Sequence, residues 1–312
     1  MLCERPYKSY GTEFRCYQCV PCRIYVRRVW THRMILESYS HKENCFGTFT
    51  YPDETRPVSL TKKHFQDFVK RFRNVVASDF RDARIRLFYS GEYGDQSGNA
   101  HYHAIIFGYP SCELGGTRYR AVRGSLRFEC CDTCRRLHDA WQFGKIDNGT
   151  ATVRSCQYVA RYVNKKMTSR DDVRLNGREP EFVDMSRRPG IGVPYVRDVL
   201  GPVVARYISR ESDIPVTLQH GGKHWPLGRT LRAELRKFLG INAKKDSYDG
   251  LQDVPGFKEF LAQKPSNQQV SEYLSAFDFA KREAAALAKV GDEQRILNLK
   301  AREGVFKKRS SI

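Results

Sequence analysis

An α+β fold is predicted, with a small antiparallel sheet carrying helices on one face. Three observations carry that expectation. Residues 100–107, AHYHAIIF, form an apolar, β-prone run. The stretch YGDQSGN joins it to an earlier run, RIRLFYSGE at 84–92, and has the composition of a hairpin loop. Flanking segments instead repeat apolar residues every three to four positions, the period of helices.

In chain order, residues 1–25 are cysteine-rich and irregular. RIYVRRVWTHRMILESY, 23–39, has helical apolar spacing with basic residues between. NCFGTFTY, 44–51, reads as a short strand closed by Pro52 and Asp53. An amphipathic helix follows over 61–76, with Phe65, Phe68, Val69 and Phe72 on one side and Thr61 as N-cap. After the 84–107 hairpin come a helix near 135–141 and another over 155–167. Residues 168–194 are polar and loop-like and end in SRRPGIGVP. From Pro226 the pattern turns helical and charged, with Leu231, Leu235, Phe238 and Leu239 as an apolar stripe. A linker is expected at 246–256 and an amphipathic helix at 277–290. The expected organisation is a catalytic-type domain over 1–225, including the cysteine-rich element at 1–25, and a helical, charged region over 226–312.

The 312 residues carry 54 Lys+Arg against 35 Asp+Glu, a formal charge of +19. Basic residues are spread along the chain, which favours a polyanionic partner, nucleic acid before acidic membrane. No run approaches the ~18 uninterrupted apolar residues of a membrane helix, and the first ten residues lack the apolar core of a secretory signal. A soluble, intracellular chain is the expectation, with no membrane partner. Its ten cysteines then read as reduced thiols or metal ligands. Neither a nucleophile elbow nor a P-loop is present, so any unwinding falls to a separate helicase.

His101 and His103 are two residues apart on a strand and share a face. Glu92 closes the preceding strand, and the hairpin brings it beside His101; Asp95 in the loop is a weaker third ligand. Two imidazoles and a carboxylate leave coordination positions open, which suits Mg²⁺ or Mn²⁺ in phosphoryl transfer and also accepts Zn²⁺, Co²⁺ or Ni²⁺. The plainer alternative is a histidine pair facing solvent or bonded within the sheet. Tyr158 and Tyr162 lie about 40° apart on a helical wheel, with Lys165 and Lys166 beside them. A phenol titrates near ~10, and an ammonium beside it favours the nucleophilic phenolate; Lys165 fits that role best. The alternative is a pair of core tyrosines. Together these groups point to chemistry on a DNA phosphodiester.

Cys16, Cys19 and Cys22 are spaced CxxCxxC, and with Cys3 they make a candidate closed structural zinc site. Cys130, Cys131, Cys134 and His138 have partial ligand spacing, for which free thiols are the preferred reading. Arg187 and Arg188, with the glycine amides of SRRPGIG, read as a phosphate-binding turn or as a plain surface turn.

HYHAIIF followed by YVARYVNKK resembles the HUH endonucleases of rolling-circle replication, in their two-tyrosine class. The similarity is closer to replication initiators of gokushovirus-like microviruses, small single-stranded DNA bacteriophages. It runs through CYQCVPCR (16–23), RRVWTHRMILE (27–37), CFGTFTY (45–51), GEYG (91–94), HYHAIIFG (101–108), WQFG (141–144), YVARYVNKK (158–166) and SRRPGIG (186–192). The cysteine segment departs from a Pro-Cys-Gly-x-Cys form. The resemblance implies a ferredoxin-like or RRM-like sheet with the histidine strand at its centre. It implies metal-dependent nicking of origin DNA, a 5′-phosphotyrosyl intermediate and a free 3′-OH primer. His101 and His103 then match the metal histidines, Glu92 the acidic ligand, and Tyr158 and Tyr162 the nucleophiles; Arg161, Lys166, Arg187 and Arg188 are the candidate DNA contacts. Mg²⁺ or Mn²⁺ is the implied metal. Host helicase and polymerase are the implied partners, and the cytoplasm of an infected bacterium the implied location. Two rival functions remain at this point: a non-catalytic, zinc-containing nucleic-acid-binding module, and a metal phosphodiesterase that uses water.

Overall fold

A computed structural model describes residues 2–9, 12–79, 84–122, 125–164, 172–207, 214–241 and 295–300. The elements are β1 (Tyr7–Ser9), β2 (Thr12–Phe14), α1 (Val20–Tyr39), β3 (Asn44–Phe49), α2 (Lys62–Asp79), β4 (Arg86–Tyr93), β5 (Ala100–Phe107), β6 (Tyr119–Val122), β7 (Ser125–Phe128), α3 (Asp132–Trp141), β8 (Ile146–Thr150), α4 (Val153–Ala160) and β9 (Phe182–Met185). Then follow α5 (Val193–Tyr195), α6 (Gly201–Tyr207), β10 (Thr217–His220), β11 (Lys223–Pro226) and α7 (Gly228–Leu239). Two compact units result, Met1–Tyr25 with Gly240–Ile312, and Val26–Leu239. The first contains the β1–β2 hairpin. The second is built on a five-stranded antiparallel sheet in the order β8-β3-β5-β4-β9. The α+β class holds, and the histidine strand β5 is the middle strand of the five.

Because a strand alternates its side chains, β5 divides its residues between two cores. Tyr102, Ala104 and Ile106 join Phe65, Phe68, Phe72 and Val76 of α2 and Leu137 and Trp141 of α3. Phe49 sits among these rings, 4.6 Å from Phe68, 5.3 Å from Phe65 and 5.4 Å from Trp141. The Trp141 indole donates to the Thr50 carbonyl at 3.0 Å, so its polar edge is satisfied. Ile105 and Phe107 face the other way, with Phe88, Met34 of α1, Cys156 and Val159 of α4, and Ile191. The sheet thus carries helices on both faces, not on one. The basic helix α1 covers the second face because its Met34, Ile35 and Leu36 are buried despite the charges around them.

Three further departures have local causes. Residues 168–194, expected to be loop, contain the edge strand β9, paired with β4. Four residues are too few to show a period, and the pairing depends on Gly91: a Cβ there would lie 2.7 Å from the Phe182 ring. The tyrosine helix runs Val153–Ala160 and then tightens into a 3₁₀ turn at Arg161–Asn164. Its start is fixed by a capping box: Ser155 N–H donates to Thr152 Oγ1 at 3.2 Å, and Thr152 N–H to Ser155 Oγ at 2.6 Å. Residue 226 ends a strand, and the C-terminal helix begins at Gly228. In α7, Leu231 and Leu235 are buried while Phe238 is half exposed. Residues 295–300 are helical, whereas the linker and helix expected at 246–256 and 277–290 lie outside the described residues. No described helix is long and apolar enough to cross a membrane.

Candidate active site

The sheet register builds the centre of the site. Glu92 pairs with His101 across the β4–β5 hairpin. Thr48 of β3 and Ser90 of β4 flank His103 on either side. All these side chains emerge on the face opposite the α2 core. Glu92 Oε1 lies 3.1 Å from His101 Nε2 and 2.7 Å from His103 Nε2. Glu92 and His103 are buried and His101 is half buried. Asp95 lies exposed in the turn and outside this group.

The far nitrogen of each ring is engaged, which decides where the near one points. His101 Nδ1 is 2.9 Å from the Asn99 carbonyl, an acceptor, so Nδ1 carries the proton and Nε2 offers a lone pair. His103 Nδ1 is 3.1 Å from Thr48 Oγ1, which lets it take the same tautomer. Phe46 stacks flat on the His103 ring, with centroids 5.6 Å apart and planes 13° apart. Two imidazole lone pairs and a carboxylate thus converge within 4.8 Å. Facing acceptors repel unless a cation or proton lies between them. Burial raises the Glu92 carboxyl, but hydrogen bonds from His101 and His103 outweigh it and hold the group below its ordinary range. A charged carboxylate between ordered imidazoles fits a divalent cation, and the outer-shell partners that metal-binding histidines need are present.

Both tyrosines reach this centre. Tyr158 Oη lies 3.2 Å from His103 Nε2 and 3.5 Å from Glu92 Oε1. The Tyr162 ring lies nearly parallel to His103, 6.2 Å away, and 5.4 Å from the Tyr158 ring. Tyr162 is buried, and burial first, then the Glu92 charge, push its phenol far above the ordinary value. Arg161 sits on the same 3₁₀ turn. Lys165 and Lys166 lie outside the described residues. Sequence reasoning missed Thr48, Phe46 and Ser90. Ser90 Oγ is buried without a hydrogen-bond partner and stands beside His103. The strand 44–51 was readable, but only its register with β5 singles these residues out.

Arg187 and Arg188 lie elsewhere. They line an open cleft of about 1200 Å³ with Lys70, Arg73, Arg84 and Arg86, which none of the three ligand residues borders. The glycine segment beside them is a structural latch on α1: Gly192 N–H donates to the buried Glu37 carboxylate at 2.6 Å, and Arg33 Nε to the Ile191 carbonyl at 2.9 Å. A Cβ at Gly192 would meet the Arg33 carbonyl oxygen at 2.9 Å, and its φ of +80° also favours glycine.

The N-terminal cysteines do come together. Cys3, Cys16, Cys19 and Cys22 place their sulfurs within 4.8 Å of one another, with Cys16–Cys22 and Cys3–Cys19 at 3.9 Å. Backbone N–H groups point at the sulfurs: Cys16 N at Cys3 (3.4 Å), Glu4 N at Cys19 (3.4 Å) and Cys19 N at Cys16 (3.3 Å). Burial opposes ionisation of Cys16, but amide hydrogen bonds from Cys19 and Gln18 bring it down to about 6. Burial pushes Cys22 up to about 12. The four thiols fit a closed structural metal site.

Residues 44–167, which include Glu92, His101, His103, Tyr158 and Tyr162, match the model of a family of replication-associated proteins typified by ORF2. The chain therefore carries a segment of that replication-associated family. It is similar to the replication-associated protein ORF4 of Chlamydia phage 1, 32% identical over 51% of this chain and 40% of the relative. It is also 32% identical to replication-associated protein VP4 of Bdellovibrio phage phiMH2K, over 51% of this chain and 50% of the relative. A third relative is the replication-associated protein ORF2 of Spiroplasma virus 4, at 32% over 58% and 56%. The chain spans about half the length of these curated relatives. No solved structure matches it significantly.

Proposed function

We propose that the chain initiates rolling-circle replication by nicking single-stranded origin DNA with tyrosine as nucleophile. The observation that carries this reading is the position of Tyr158 Oη, 3.2 Å from one ligand nitrogen of a two-histidine, one-carboxylate group. The segment match to replication-associated proteins supports it.

Glu92, His101 and His103 would hold Mg²⁺ or Mn²⁺. When bound, the ion supplies Lewis-acid neutralisation of the scissile phosphate. The side chains do the rest. Thr48 and the Asn99 carbonyl fix the imidazoles with Nε2 inward. Tyr158 Oη forms a bond to phosphorus as the P–O3′ bond breaks, and the phenol proton ends on the released 3′ oxygen. The phosphodiester energy stays in the tyrosyl ester, so the strand can be rejoined without ATP. Tyr162, on the same imidazole, serves the second transfer. Lys165 favours the phenolate, and Arg161, Lys166, Arg187 and Arg188 contact DNA phosphates. The N-terminal four-cysteine group holds structural Zn²⁺. Helicase and polymerase come from the host, in whose cytoplasm the protein acts. The catalytic domain covers 1–225 and a helical region 226–312.

The test is an adduct assay with Mn²⁺ and single-stranded origin DNA labelled 3′ of the nick. A labelled protein band on a denaturing gel, mapped by peptide mass to Tyr158 or Tyr162, is the expected result. Cleaved DNA without that band would mean that water is the nucleophile. Binding without cleavage on verified origin DNA would leave a non-catalytic binding module.

A further inference from the structure

A second four-cysteine group lies inside the sheet-bearing unit. The partial spacing in sequence pointed to Cys130, Cys131, Cys134 and His138. His138 instead stacks on Phe128, with centroids 4.4 Å apart. Cys112, from the segment that follows β5, takes the fourth place. The sulfurs of Cys112, Cys130, Cys131 and Cys134 lie within 4.8 Å of one another, with Cys112–Cys130 at 3.6 Å and Cys112–Cys131 at 3.9 Å. A zinc tetrathiolate with Zn–S of about 2.3 Å has sulfur–sulfur edges of about 3.8 Å. A disulfide requires about 2.05 Å, and all four are free thiols.

The surroundings suit thiolates. Thr117 Oγ1 lies 3.4 Å from Cys134 Sγ, and Asn148 Nδ2 lies 3.8 Å from it. Cys131 is the N-cap of α3 and Cys134 lies in its first turn, where the helix dipole favours negative sulfur. Such polar partners around the sulfurs are what metal thiolates need.

We infer that Cys112, Cys130, Cys131 and Cys134 form a structural zinc site that fixes the insertion between β5 and β8 against the edge strand β8. The insertion has little core of its own. Its β6–β7 hairpin is a separate two-stranded sheet, and Leu126 is half exposed. An isolated two-stranded hairpin is marginal in water, whereas a closed metal site contributes folding free energy directly. The polar contacts to β8 run through the same segment. Cys112 N–H donates to the Asn148 carbonyl (3.3 Å), Asn148 N–H to Thr117 Oγ1 (2.9 Å), and Ile146 N–H to Tyr119 Oη (2.8 Å). Buried Asn148 also donates to the Pro110 carbonyl at 3.3 Å. β8 leads within two residues to Thr152, the cap of the helix that carries Tyr158. The zinc therefore holds the strand from which the tyrosine helix starts.

Zinc content of the full chain, purified without chelator, tests this. The Cys112→Ser, Cys131→Ser double variant should lose one zinc per chain and lose amide-exchange protection over 146–150. The Cys16→Ser, Cys19→Ser variant should leave that protection intact. A folded Cys112→Ser, Cys131→Ser variant with undiminished zinc would overturn the proposal. Should the variant not fold, alkylation of the unaltered chain decides, mapped by peptide mass. Zinc should shield Cys112, Cys130, Cys131 and Cys134, and chelation should expose them. Equal labelling of these four with and without zinc would refute the site.

Discussion

Thr48→Val tests whether the centre is a metal site whose ligands are held from outside. Thr48 touches no candidate ion; it acts only through His103 Nδ1, at 3.1 Å. Valine keeps the branched shape and removes the hydroxyl. A neutral hydrogen bond contributes about 1 kcal/mol net, and a buried polar atom left without a partner costs about 1–3 kcal/mol. Burial of His103 decides between them, because little water reaches Nδ1 to replace the threonine. The lost partner also frees the ring to place its proton on Nε2, the nitrogen needed for coordination. The expected loss is about 10–100-fold in Mn²⁺ affinity, or about 1.4–2.7 kcal/mol. Calorimetric titration of Mn²⁺ into the full chain measures it directly, and the half-saturating Mn²⁺ for nicking should shift in parallel. Tyr158→Phe, which removes no ligand atom, should leave Mn²⁺ affinity nearly unchanged. Unaltered affinity in a folded Thr48→Val protein would refute the argument that His103 is a ligand oriented by Thr48.

Three further outcomes are expected. Tyr158→Phe should abolish the first adduct with origin DNA, while Tyr162→Phe should retain it and lose the subsequent strand transfer; gel-resolved adducts with each variant check this, and adducts in the double variant would place the nucleophile elsewhere. Glu37→Gln should lower unfolding free energy by about 3–5 kcal/mol, the cost of removing one member of a buried ion pair, since Glu37 is fully buried and receives Arg86, His41 and the Gly192 amide. Burial opposes its ionisation, but the hydrogen bonds hold its carboxyl below the ordinary range. Its contribution is therefore full above about 4.3, the unfolded value, and is lost as pH falls through the lower folded value; urea unfolding across acid pH should be flatter for Glu37→Gln. Phe68→Ala should cost about 3–5 kcal/mol, because its ring is fully buried against Phe49 and Trp141, and thermal unfolding reads that loss.

Legibility in the sequence followed the range of the interactions. His101, His103 and Glu92 were readable together because a tight hairpin joins their strands and strand alternation sets their faces. The phenylalanines of α2 were readable from helical spacing. Thr48 and Ser90 were not, since their roles arise only when three strands settle into one register. Cys112 was missed for a related reason: its partners lie on the far side of a hairpin, and proximity in sequence favoured His138 instead. β8 reads IDNGT, with too few apolar residues to announce a strand; its buried Asn148 is satisfied by the insertion, not by any local pattern. The glycines of SRRPGIG were visible, but their use as a latch on Glu37 depends on a helix about 150 residues earlier.

The two tyrosines are not equivalent, and the backbone is the reason. Along an ideal α-helix, residues four apart differ by about 40°. Here α4 ends at Ala160 and the chain tightens into a 3₁₀ turn from Arg161. Each 3₁₀ step advances about 120° instead of about 100°, which swings Tyr162 further round than the wheel expects. The result is two different approaches to one imidazole. Tyr158 meets His103 edge-on, at 89°, with its oxygen beside the ligand atoms. Tyr162 lies at 16° and presents a ring face. Its buried phenol, next to the Glu92 charge, is the harder of the two to ionise in this arrangement. A transesterase with two identical nucleophiles would have no built-in order of attack. This geometry imposes one: the half-buried, oxygen-first Tyr158 is poised for the first phosphate, and Tyr162 comes into reach only when the 3₁₀ turn shifts. The short turn between Ala160 and Asn164 is therefore the segment whose rearrangement separates the first transfer from the second.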